Sequence, residues 1–227
     1  MSGEHQTFQP DCVRCRRLAE FIDKARQAYP DYFCGPVPSF GDHHPGLLIV
    51  GLAPGLHGAN RTGRPFTGDY AGALLYETLH EFGYADRPVS VAADDGLRLS
   101  GCRITNAVKC VPPGNKPETA EITRCNAFLK AELAGLPTDT TVLALGLVAH
   151  GAVLRALGLK KSAYRFGHGV LHHLPDGRRL YDSYHCSRYN TQTNRLTPAM
   201  FKAVFQSIRN HPGSPACPSS PSSSPAT

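Results

Sequence analysis

The strongest constraint on this chain is the alternation of short apolar runs with helical patterns. Residues 46–51 (GLLIVG) and 141–145 (TVLAL) are nearly unbroken apolar runs of strand length, the second followed at once by Gly146. Runs of this kind suit strands buried on both faces, as in a parallel sheet. Residues 103–108 read as a further strand, and residues 179–184 as a last one that delivers its end to His185. Helical spacing fills the intervals. Residues 12–29 carry Leu18, Phe21, Ile22 and Ala25 on one face and stop at Pro30. Asp69 stands where it can cap a helix over residues 70–82, and Pro117 opens one over residues 117–133. Another helix runs from Gly146 to Leu157. Thr197 caps the last, whose apolar face is Met200, Phe201, Val204, Phe205 and Ile208.

Strands alternating with helices predict the α/β class, a three-layer α/β/α sandwich around a central, mostly parallel sheet of roughly four strands. Ligands bind such sheets beyond the carboxyl ends of the strands. Three polar loops follow strand ends here, over residues 52–69, 106–109 and 185–194, and are expected to meet at one cleft. Residues 87–100 read as a connection with weak strand character. One domain is expected over residues 1–210, followed by a disordered Pro/Ser-rich tail over residues 211–227 that has too few apolar residues to build a core.

No run of about 18 apolar residues occurs, which argues against a membrane span. The first residues lack the order of a secretory signal, so a cytoplasmic location is expected. Eight cysteines in that setting favour metal binding over disulfides. Cys12 and Cys15 form a C-x2-C pair, while Cys110 follows a strand and Cys125 sits in the next helix. A local pair grips one centre and a distant pair closes it, an arrangement open to zinc or an iron–sulfur cluster. Cys34, Cys102 and Cys186 are spare thiols, and Cys217 falls in the tail. The net charge of +6 is compatible with a polyanionic partner. Arg61 and Arg64 in one loop, with Arg188 and Arg195 in another, are expected to contact phosphates.

Several segments, taken in order, resemble one family. They are GLAPG at residues 51–55, HGANRTGR at 57–64, FTGD at 66–69, ITN at 104–106 with KCVPP at 109–113, HCSR at 185–188, and NT at 190–191 followed by RLT at 195–197. Together they resemble the uracil-DNA glycosylase superfamily, and within it the iron–sulfur members of family 5, over about residues 12–209. The resemblance implies a monofunctional glycosylase of base excision repair. Such an enzyme hydrolyses the N-glycosidic bond of uracil in DNA, with hypoxanthine, xanthine and ethenocytosine as further substrates. It also implies a [4Fe–4S] cluster on Cys12, Cys15, Cys110 and Cys125, with a structural role.

The resemblance makes Asp69 the catalytic carboxylate, Asn106 the reader of the base edge, and His185 the donor to the departing base. Each residue type suits its task. A flipped base is read by stacking and by hydrogen bonds to its edge. An amide offers both donor and acceptor, and a donor aimed at developing negative charge lowers the barrier. Gly51, Ala53 and Gly55 would bring backbone close to the base, and Phe66 would stack on it. Arg188, Tyr189 and Asn190 would enter or brace the groove. Two departures stand out, Gly55 where the family pattern has alanine and Cys186 where it has proline. No lysine is placed as a Schiff-base nucleophile, so no lyase step is expected. The expected partner is DNA containing uracil or other deaminated bases, bound by a monomer. A second reading is a metal-stapled DNA-binding or damage-sensing protein without catalysis. A zinc-stabilised nucleotide hydrolase is a third, but no G-K-[ST] follows the glycines to form a phosphate loop.

Overall fold

The computed structural model describes residues 8–211. In chain order the elements are α1 (Arg16–Ala28), β1 (Phe40–Gly41), β2 (Leu47–Gly51), α2 (Ala59–Thr62), α3 (Tyr70–Glu81), β3 (Cys102–Asn106), α4 (Thr119–Ala134), β4 (Thr141–Leu145), α5 (Leu147–Ala156), β5 (Leu171–His173), β6 (Arg179–Ser183), α6 (Arg188–Gln192) and α7 (Pro198–Asn210). Among the described residues the sheet has six strands, in the order β1-β3-β2-β4-β6-β5. The four expected strands are its parallel centre, β3-β2-β4-β6. The count of roughly four is corrected by β1 and β5, which pair antiparallel at the two edges. Strands of two and three residues have no apolar run or alternation long enough to announce them.

Side chains leave successive residues of a strand on opposite faces, so each central strand feeds two cores. Leu47 and Ile49 of β2 pack with Leu143 and Leu145 of β4 under α3 and α7, where Leu75, Leu79, Phe201 and Phe205 are buried. Leu48 and Val50 turn the other way and meet Val142 and Ala144 beneath Leu129 and Leu133 of α4 and Val153 of α5. This is the predicted three-layer sandwich. Each wholly buried Leu, Val or Phe contributes about 1.5–3 kcal/mol, which explains why these runs dominate the fold.

A smaller cluster joins α1, through Leu18, Ile22 and Ala25, to Val108, Val111 and Phe128. The Arg17 guanidinium of α1 clamps both oxygens of Glu121 on α4, at 2.8 and 2.7 Å. Three boundaries differ from expectation by two residues or more, the first being helix α1, which begins at Arg16 and leaves Cys12 and Cys15 ahead of it. Helix α4 begins at Thr119 because Glu118 caps it in a box with Glu121, leaving Pro117 outside. Strand β3 ends at Asn106, although the amides of Ala107 and Val108 go on to donate to Gly51 O and Leu52 O, at 2.9 and 3.0 Å. Residues 87–100 form no strand. Their neighbourhood makes one isolated bridge, Ala85 to Leu99. Apart from His211, the expected tail, with Cys217, lies outside the described residues. No helix among those residues is long and apolar enough to cross a membrane.

Behind β6 lies a buried polar knot. Asp182, fully buried, receives His150 Nδ1 on one oxygen at 2.8 Å and His172 Nε2 on the other at 3.1 Å. His150 Nε2 faces the carbonyl of Tyr164 at 3.0 Å. Both nitrogens of His150 thus lie within hydrogen-bond distance of oxygen atoms.

Candidate active site

The register of the sheet builds the first part of the site. Gly51 and Asn106 are the last residues of β2 and β3 and stand opposite each other. A Cβ at Gly51 would fall 2.4 Å from Asn106 Oδ1 and 2.6 Å from the Phe66 ring, so only glycine lets these two side chains converge. Asn106 is 3% exposed, and its Oδ1 has no hydrogen-bond partner among the described residues. An orphaned buried acceptor is costly unless a ligand or water completes it.

Phe66 has a positive φ of 57° and packs into the core. Its ring stacks on His185, with centroids 5.8 Å apart and planes 26° from parallel. The loop can turn back here because Gly72 of α3 has no side chain; a Cβ there would fall on the Phe66 carbonyl oxygen.

Asp69 is the N-cap of α3, its Oδ1 accepting from the Gly72 amide at 3.0 Å. Its other oxygen, Oδ2, lies over the loop at Gly55 and Gly58. Although Asp69 as a residue is exposed, surrounding protein atoms strip water from its carboxylate and push its pKa up, against the amides of Gly72 and Ala71. His185 follows β6, and burial holds its pKa down at about 4, so the ring is neutral at physiological pH and keeps one N–H donor. Asn190 Nδ2 donates to the His185 carbonyl at 2.8 Å and Ser187 caps α6, which together fix the turn that carries His185.

Asp69 and His185 line one cavity of about 490 Å³, with Ala53, Gly55, Arg188 and Tyr189. That volume lies in the range of small-molecule sites. Phe66 and Asn106 are not among its lining residues; both lie beside Gly51, and Phe66 packs on His185. The loop over residues 52–69 and the His185 loop do meet, as expected. The third contribution comes later in the chain than expected, from Asn115, which also lines the cavity. Its Oδ1 lies 4.0 Å from the position a Gly55 Cβ would take, and Asp69 Oδ2 lies 3.5 Å from the same point. Sequence reasoning missed Asn115 because Pro-Pro-Gly-Asn is an ordinary turn signature. A methyl at Gly55 would meet only ordinary contacts, so the departure from alanine at this position demands no rearrangement.

The arginines divide. Arg64 is 3% exposed, pairs with Asp95 at 2.6 Å and lies 4.2 Å from the centre of the Phe40 ring. It also donates to Ser90 and to the Ala93 carbonyl. The expected phosphate contact is corrected here, since Arg64 instead anchors the segment that carries Ser90 and Asp95. Arg61 and Arg188 are exposed, as is Arg195, which lies 4.7 Å over the Tyr184 ring.

Cys12, Cys15, Cys110 and Cys125 surround one further cavity, beside Arg14, Lys109 and Arg124. Burial pushes the Cys110 thiol up to about 12 and that of Cys125 up to about 11, and the neighbouring thiols add to both. The Lys109 amide donates to Cys125 Sγ at 3.2 Å. Four sulfurs with cations around them fit an anionic metal–thiolate centre. One tetrahedral zinc with Zn–S bonds of about 2.3 Å would hold its sulfurs about 3.8 Å apart. Among the described residues, the ligand atoms gathered within 4.8 Å of one another belong to His150, His172 and Asp182, not to the cysteines.

Comparison with known proteins agrees with this geometry. The family model described as the uracil DNA glycosylase superfamily matches residues 38–209. A type-5 uracil-DNA glycosylase of Thermus thermophilus is 46% identical over 207 residues, covering 89% of this chain and 94% of the relative. One from Mycobacterium tuberculosis is 44% identical over 211 residues, covering 89% and 78%. One from Pyrobaculum aerophilum is 41% identical over 200 residues, covering 86% and 87%.

Proposed function

The chain belongs to the uracil-DNA glycosylase superfamily, and from that premise we propose that it is a monofunctional glycosylase that releases uracil and deaminated purines from DNA. The observation that carries the substrate range is Asn106. Its partnerless buried Oδ1 is an acceptor awaiting an N–H. Uracil, hypoxanthine and xanthine all present a ring N–H beside a carbonyl, the edge that an amide complements with Oδ1 and Nδ2. Cytosine and adenine present a lone pair at the corresponding nitrogen, which would face Oδ1 without a proton between them. The same amide thus admits these deaminated bases and rejects cytosine and adenine, whereas guanine, which keeps a ring N–H beside a carbonyl, must be excluded by other contacts.

In the reaction the bond from C1′ of the sugar to the base nitrogen breaks, and its electron pair leaves on the base. His185, neutral through burial, donates its N–H to a base carbonyl oxygen and stabilises the developing anion. Asp69 keeps Oδ1 on the helix cap and turns Oδ2 towards the cationic sugar and the attacking water. The water oxygen bonds to C1′ and gives its proton to the Asp69 carboxylate, from which it passes through solvent to the base anion, leaving an abasic site and the free neutral base. Asn115, across from Asp69 Oδ2, orients that water. Phe66 forms the wall behind the base, held by Gly51 and His185, while the backbone at Ala53 and Gly55 borders the sugar. Arg188 and Asn190 serve the groove, the first by touching DNA and the second by bracing the His185 turn.

Cys12, Cys15, Cys110 and Cys125 would hold a [4Fe–4S] cluster. When bound, the cluster supplies a cross-link between the start of α1 and the segment leading into α4. The four cysteines around one cavity, with cations beside them, support a metal–thiolate centre, and the resemblance to family 5 implies that it is iron–sulfur.

The test is alkaline cleavage of labelled duplexes holding uracil, hypoxanthine, xanthine or ordinary bases. Strand breaks that form only after alkali, at the three deaminated bases and at neither cytosine nor adenine, are the expected result. Release of cytosine, or no release from any duplex by folded protein, would refute the reading of Asn106 or the activity itself.

A further inference from the structure

Asp69 Oδ1 is fixed by the Gly72 amide, so the carboxylate can place Oδ2 only where the opposite loop leaves room. That loop comes closest at Gly58. A Cβ there would stand 2.6 Å from Asp69 Oδ2, 3.0 Å from its Cβ and 3.1 Å from its Cγ. Three residues earlier, at Gly55, the same construction meets Oδ2 at an ordinary 3.5 Å.

Gly58 cannot retreat. Its amide donates to Gly55 O at 3.2 Å, and its carbonyl accepts from Arg61 N at 2.9 Å and Thr62 N at 3.1 Å, closing the first turn of α2. Asp69 cannot retreat without leaving its cap. A side chain at residue 58 must therefore turn the carboxylate away from its present direction or break the cap. The amides of Gly72 and Ala71 hold the carboxylate from the helix side, and the bare backbone of Gly58 confines Oδ2 from the other.

We propose that Gly58 is a positioning residue for base excision, the floor that aims Oδ2 of Asp69 into the cavity. The inference rests on the reading of Asp69 as the catalytic carboxylate. A misplacement of about 1 Å at a reacting group can lower a rate on the order of 10²-fold. Binding of DNA, which does not use this contact, stays as it was.

The experiment compares Gly58→Ala, Asp69→Ala and the double variant in single-turnover excision from a uracil duplex, with duplex affinity and thermal unfolding measured beside it. Gly58→Ala is expected to lose on the order of 10²-fold in rate at unchanged affinity, and the double variant to match Asp69→Ala alone. The acidic limb of the Gly58→Ala rate profile should also move to lower pH, because the displaced carboxylate regains water. A parental rate for Gly58→Ala, or a double variant slower than Asp69→Ala by the full Gly58→Ala factor, overturns the proposal. Should Gly58→Ala fail to fold, Gly58→Ala combined with Asp69→Gly removes the colliding atoms. Recovery of the fold supports the proposal, and continued failure shows that Gly58 is needed for something else. If Asp69→Ala itself keeps the parental rate, the reading of Asp69 falls and this inference with it. If Asp69→Ala is inactive and Gly58→Ala is not, only the inference falls.

Discussion

Asp69 caps a helix with one oxygen and offers the other to the cavity, and two substitutions separate these roles. Asparagine keeps an oxygen that can accept from the Gly72 amide, and it is as good an N-cap as aspartate. It lacks the negative charge. Alanine removes both. Loss of a capping side chain costs about 1 kcal/mol, which in a domain of this size lowers the melting temperature by about 2–4 °C. Loss of an electrostatic stabiliser aimed at the reacting centre costs on the order of 10²–10³ in rate. Asp69→Asn should therefore melt within a degree or so of the parent yet excise uracil on the order of 10²–10³ more slowly, while Asp69→Ala shows both losses. Thermal denaturation gives the first quantity and single-turnover excision the second. An Asp69→Asn enzyme with parental rate would show that the charge is not used. A shared loss of stability in both variants would show that the cap is not made by the side-chain oxygen. The raised pKa adds a condition, because the role proposed for Asp69 requires the ionised carboxylate, so the rate should fall as pH falls through that pKa. Stability runs the other way, since the folded state holds this proton more tightly than the unfolded chain and loses that advantage as pH rises.

His185, with its pKa at about 4 against an ordinary 6.5, makes the unfolded chain the better proton binder between those values, so stability should fall as pH drops from about 6.5 to about 4. His185→Gln should flatten that part of a pH–melting curve. Removing His150 leaves one oxygen of the buried Asp182 without its side-chain partner while His172 keeps the other, and His150→Ala should cost about 1–3 kcal/mol in urea unfolding; a loss well below about 1 kcal/mol would mean that water replaces the ring. Purified parent protein should be brown with about four irons per chain, and Cys12→Ser should lose both. Colour and iron that survive Cys12→Ser would remove that residue from the ligand set.

The parallel centre of the fold was legible because strands buried on both faces leave apolar runs that nothing else in a short chain explains. The layers followed from strand–helix alternation. Helices α2 and α6 were not foreseen, and a helix of four or five residues has no periodicity to detect and depends on the packing around it. Arg64 was misread for a related reason. A loop arginine looks like a phosphate ligand until its partner is known, and Asp95 lies 31 residues on, in a segment without a pattern. Asp69 and His185 were singled out by resemblance to the family's motifs, and the structure brings both to one cavity at the ends of neighbouring elements. Asn115 looked like any turn residue, and its place opposite Asp69 exists only in three dimensions.

The two edges of the sheet carry a consequence for the molecule in a crowded cell. A long flat edge strand exposes a row of unpaired amides and carbonyls on which another chain can add. Here the parallel centre, whose strands are the most apolar stretches of the protein, is closed on one side by the two residues of β1 and on the other by the three of β5. Neither border is long enough to template a further strand, so the segments best suited to aggregate never stand at a free border of the folded protein.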